Sequence, residues 1–151
     1  MIHHVFFAVA VLTVTAGFAD EPKETHPDLD GRWKLVSLIQ DEQKAPAAKL
    51  KGAYVDIKDN LMVFHVPSKP DYPDLHIKYQ FAAKGIDLQI TDSREQDYAG
   101  PTFDGQWGLK DQQFKLACWS TVDDEGTRPR PPLAPDKSVI YVELERIPTS
   151  R

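Results

Sequence analysis

From Gly31 onward, apolar and polar residues alternate in short runs separated by turn residues. A period of two is the mark of strands with one buried face, and it excludes a helical fold, which repeats every ~3.6 residues. Eight such segments are expected as strands: Trp33–Gln40, Ala53–Lys58, Leu61–Val66, Leu75–Ala82, Ile86–Thr91, Phe103–Lys110, Gln113–Trp119 and Ser138–Ile147. Ala45–Leu50 is long enough for one short helical turn. Twelve prolines against eight glycines agree with stiff loops between strands and disfavour a helical bundle.

Hairpin geometry supports this period. A two-residue turn at Asp59-Asn60 sets Ile57 opposite Met62, Val55 opposite Phe64 and Ala53 opposite Val66. A turn at Asp111-Gln112 sets Leu109 opposite Phe114, Trp107 opposite Leu116 and Gly105 opposite Cys118. A turn near Lys84-Gly85 puts Phe81, Tyr79, Leu88 and Ile90 on one face and Lys78, Gln80, Asp87 and Gln89 on the other. Each pairing gathers apolar residues on one side, which a wrong period would not do. The expected fold is all-β, an antiparallel eight-stranded up-and-down barrel, whose closure removes both sheet edges. A two-sheet sandwich satisfies the same alternation.

The chain of 151 residues suits a single domain. Val5–Val14 is apolar and is followed by Gly17 and Ala19 at the −3 and −1 positions of a cut before Asp20. Residues 1–19 therefore read as a signal peptide, too short for a bilayer span of about 20 apolar residues. Its first residues carry no Lys or Arg, and an uncleaved anchor is the competing reading. A polar leader (20–28), a domain (29–147) and a tail (148–151) follow. The expected location is outside the cytoplasm, periplasmic or extracellular, with no transmembrane span in the mature form.

Eighteen basic against 23 acidic residues give a net charge of −5, the wrong sign for a nucleic-acid partner. The one cysteine, Cys118, excludes an internal disulfide and a cysteine-cluster metal site.

Gly31-Arg32-Trp33 opens the first segment and Arg146 ends the last. This resembles the lipocalin/calycin pattern, in which a Gly-x-Trp tryptophan plugs one barrel end under an arginine. In an antiparallel closure the start of the first strand lies beside the end of the last. Trp33 shares the inward parity of Leu35 and Ile39, and Arg146 that of Ile140, Val142 and Leu144. Gly31, Trp33 and Arg146 are thus the expected closure, with a cation–π contact between the last two. The segments Leu29–Trp33, Gly85–Leu88, Gly105–Leu109 and Phe114–Cys118, with Arg128-Pro129 or Arg130-Pro131, also resemble a family of exported bacterial lipocalin-like domains of unknown function, expanded in planctomycetes. The likeness runs from about Leu29 to Ile147. Trp107 stands where that family tends to have Tyr, and the Arg-Pro pair is doubled. The resemblance implies a fold and brings no activity with it.

No Gly-x-Ser-x-Gly, phosphate-binding loop, dinucleotide fingerprint or zinc-protease motif occurs, so neither a catalytic residue nor a cofactor is assigned. His65 and His76 bracket a loop holding Asp71 and Asp74, but both histidines have outward parity and no metal-ligand spacing, so no metal is expected. Two functions compete. In one, a small, largely apolar ligand occupies a cavity lined by Ser37, Val55, Phe64, Tyr79, Leu88, Trp107, Leu116 and Cys118, with Arg128 and Arg130 at its mouth. In the other, side chains fill the barrel and a protein partner is bound through loops or through the outward apolar residues Leu61, Val63, Val139 and Tyr141.

Overall fold

The computed structural model describes residues 26–68, 74–92, 100, 102–121, 128–135 and 139–149. The expected signal peptide, most of the polar leader, Asp71, Ser138 and the acidic run at 123–125 lie outside them. The described residues form nine strands and one short helix, in chain order β1 (Gly31–Gln40), β2 (Gln43–Lys44), α1 (Ala47–Leu50), β3 (Tyr54–Lys58), β4 (Leu61–His65), β5 (Leu75–Ala82), β6 (Gly85–Asp92), β7 (Thr102–Lys110), β8 (Gln113–Trp119) and β9 (Val139–Arg146). Every neighbouring pair is antiparallel, and β1 pairs with β9, which closes eight strands into an up-and-down barrel. β2 is an extra strand, a two-residue hairpin return on the far end of β1 that alternation could not reveal.

The chain direction fixes two unlike ends. Two-residue turns join β3 to β4, β5 to β6 and β7 to β8, and all lie at the end where β1 begins and β9 stops. At Asp59-Asn60 and Asp111-Gln112 both central residues have positive φ, 51° and 62° and then 50° and 67°. This is the turn whose twist matches paired strands. The registers expected for these two hairpins are observed, except that the β3–β4 ladder stops at Tyr54–His65, before Ala53 and Val66. In the third hairpin Ala82 pairs with Gly85, so the turn is Ala83-Lys84, one residue earlier than expected. The described connection from β1 to β3, which carries β2 and α1, lies at the opposite end.

A β-bulge between Leu35 and Ser37 corrects the parity expected along β1. An extra residue on one strand reverses the side-chain alternation beyond it. Ile39 therefore packs outside, with Ala117, Val139, Tyr141 and Trp119, while Leu38 and Gln40 turn inward.

The lower half of the barrel is packed solid. Trp33, Val55, Ile57, Met62, Ile86, Phe114 and Leu144 are all at most 2% exposed. Among the described residues, no helix is long and apolar enough to cross a membrane.

Candidate functional site

The closed end is built by Trp33 and Arg146, which are direct partners in the β1–β9 ladder. The Arg146 guanidinium carbon stands 4.4 Å from the centre of the indole. Its two terminal nitrogens donate to the carbonyls of Asp30 and Asp28, at 3.0 and 2.8 Å. The indole Nε1 donates to the Leu29 carbonyl at 2.8 Å. Gly31, at φ 135°, supports the sharp entry into β1. The chain just before the barrel is thus tied across its base, and the packed region starts before Leu29: His26 stacks on Phe81 with ring centres 4.5 Å apart.

Above this plug the barrel is hollow. A cavity of about 310 Å³ opens at the far end, at the lower bound of small-ligand pockets, ~300–1,000 Å³. Its deep wall is Leu35, Leu88 and Leu116; its middle is Phe64, Ile77, Phe103, Cys118 and Val142; nearer the mouth come Leu38, Val66, Leu75, Ile90 and Ile140. Two polar residues, Gln40 and Asp74, complete the described wall. Burial pushes the Cys118 thiol up to about 12, so at neutral pH it lines the wall as a small neutral group and not as a thiolate.

Of the cavity residues expected from sequence, Phe64, Leu88, Leu116 and Cys118 line the hollow. Val55 and Tyr79 belong to the packed half, and Trp107 meets Phe81 edge-on at 5.0 Å, also below it. Ser37 is buried but lies beyond the bulge, paired with Glu143. The other eleven lining residues were not among those candidates, and three of them were out of reach of simple alternation: Leu38, Gln40 and Asp74. The first two depend on the bulge, and the third sits outside any strand.

Arg128 and Arg130, expected at the mouth, stand on the outside of the barrel. Arg130 donates to the carbonyls of Ile86 (2.9 Å) and Gly105 (3.1 Å) and pairs with Asp87 at 2.7 Å. The Arg128 guanidinium lies over Trp119, 4.6 Å from the ring centre, and the same indole donates to the Pro129 carbonyl. Residues 128–135 therefore form a strap over β6, β7 and β8, with Pro131 buried in it. Val139 and Tyr141, expected to be exposed, are 0% and 4% exposed, packed with Ile39 and the clamped Trp119. Leu61 and Val63 are half-buried. The outward apolar face proposed for a protein partner loses two of its four residues.

On the opposite side of the barrel a polar relay runs to the cavity mouth. Arg32 closes on Asp56 with two bonds, 2.7 and 2.9 Å, which hold that carboxyl below its ordinary range. His65 Nε2 is 3.5 Å from Asp56, and its Nδ1 is 2.7 Å from Asp74. Tyr54 stacks between Arg32 and His65, with centre distances of 4.3 and 4.5 Å. His76 takes no part in these contacts. Among the described residues, no group of three or more His, Cys, Asp or Glu side chains is placed to hold a metal ion.

The closed eight-stranded barrel is consistent with a calycin-like fold. Comparison with protein-family models, with curated proteins and with solved structures finds no match to this chain.

Proposed function

We propose that the protein is an exported, lipocalin-like binding module that holds a small, largely apolar ligand in the upper half of its barrel. The observation that carries this reading is the 310 Å³ hollow walled by aliphatic and aromatic side chains above a floor of fully buried side chains. Apolar concavities with a few polar groups at one end are the usual form of small-molecule sites. At ~30 Å³ per water-sized atom the space takes a ligand of about ten non-hydrogen atoms. The apolar run before Asp20 supports export, as does the resemblance of the motifs from Leu29 to Ile147 to exported lipocalin-like domains.

Native mass spectrometry of the protein purified from its own host tests the reading. A retained small molecule, or saturable binding of nonan-1-ol by the emptied protein, is expected. The absence of both retention and binding would overturn it. The intact mass also reports processing: a mature chain starting at Asp20 is expected, and retention of residues 1–19 would refute cleavage.

A further inference from the structure

We infer that the ligand's polar end is a hydrogen-bond donor, an alkylammonium in the first place, and not a carboxylate. This rests on the cavity-binding reading above. Among the described lining residues there is no Lys, Arg or His, so nothing on that wall offers a positive partner to an acid headgroup. The polar groups there are Gln40 and the Asp74 carboxylate.

Both are set in place by specific features. The bulge after Leu35 turns Gln40 into the mouth, where plain alternation would have left it outside. Asp74 is held by one oxygen, Oδ2, on the imidazole Nδ1 of His65. Asp56, on the other side of that imidazole, has its charge matched by two bonds from Arg32. No guanidinium among the described residues pairs with Asp74, whose side chain is 43% exposed where it lines the mouth.

An ammonium headgroup would meet opposite charge there, whereas a carboxylate would meet like charge at the edge of a poorly solvated cavity. The net charge of −5 favours approach of the cation as well. An alcohol can donate to either group and carries no charge penalty.

Calorimetric titration at about pH 8, where an alkylamine is still protonated and a fatty acid ionised, tests the headgroup. Nonylammonium, nonan-1-ol and octanoate, each of about ten non-hydrogen atoms, match the cavity in size. Wild type is expected to bind nonylammonium at least ~10-fold more tightly than octanoate. Asp74→Asn should collapse that ratio toward one and leave nonan-1-ol unchanged; Gln40→Glu should widen it. Equal binding of the three by wild type, or a ratio that Asp74→Asn does not move, overturns the headgroup assignment while the apolar site stands. Failure of all three to bind overturns the cavity reading and this inference with it. Leu116→Trp, which narrows the hollow, should weaken all three, and ammonium binding that it leaves unchanged is adsorption to an acidic surface and refutes the assignment.

Discussion

Arg130 crosses the outside of the barrel directly over Gly85, and the two fit only because Gly85 has no side chain. A Cβ built there would stand 2.6 Å from Arg130 Cδ and closer still to the Gly105 carbonyl oxygen. The second neighbour is backbone in a paired strand and cannot swing aside. Gly85→Ala is therefore expected to force the strap and β7 apart, at about 1–3 kcal/mol. Gly108→Ala is the contrast: its Cβ would meet only the Leu133 side chain, at 2.7 Å, and Leu133 is 38% exposed and able to move. That variant should stay within ~0.5 kcal/mol of wild type. Urea denaturation at constant m-value separates the two.

Trp33 and Arg146 close the base through separate contributions. Trp33→Ala should cost roughly 3–5 kcal/mol, since it empties a fully buried site. Arg146→Lys keeps the charge but loses the two-nitrogen fork that spans the Asp28 and Asp30 carbonyls. It should cost about 1–2 kcal/mol. Wild-type stability in the Trp33 variant would refute the plug.

The strands and two of the tight turns were legible because alternation and turn chemistry are local. Asp59-Asn60 and Asp111-Gln112 tolerate positive φ, and apolar residues fall into register on either side. The bulge was not legible: Val36, Leu38 and Ile39 are all apolar, so neither parity is penalised within β1 alone. The strap was hidden for another reason. Arg130 and Asp87 are 43 positions apart, and each seen alone is an ordinary surface charge. Candidate cavity residues were half right because parity says which face a side chain occupies and not its height. Val55 and Leu116 share the inward face, yet one belongs to the solid floor and the other to the wall.

Stability should fall on the alkaline side. Burial, with the bond its hydroxyl donates to Glu143, pushes the Tyr141 phenol up to about 12, and burial alone pushes Cys118 to about 12. In each case the fold favours the neutral form. The stabilisation is complete below the ordinary values, ~10 for Tyr and ~8.5 for Cys, and is lost as pH rises through about 12. The urea midpoint of wild type should therefore drop between about pH 9 and 12. Tyr141→Phe with Cys118→Ala should flatten that drop, and an unchanged slope in the double variant would exclude both groups as its source. The same burial predicts that a thiol reagent labels Cys118 slowly at neutral pH until denaturant is added.

The division of the barrel into a solid lower half and a hollow upper half has a direct mutational signature. Leu116 and Leu144 are both buried inward leucines, on neighbouring strands, 3% and 1% exposed. Leu116 borders the 310 Å³ cavity, while Leu144 pairs with Phe114 in the packed floor and is not part of the cavity wall. Adding the volume of an indole at Leu116 uses space already empty, so Leu116→Trp should remain within ~1 kcal/mol of wild type. The same change at Leu144 has nowhere to go and should cost ~3 kcal/mol or more by overpacking. Thermal and urea unfolding of the two variants measures the difference. Equal destabilisation would mean that the upper half is as full as the lower, and the binding function would lose its site. Tolerance at Leu116 alone, together with loss of nonan-1-ol binding, would locate the ligand beside that residue.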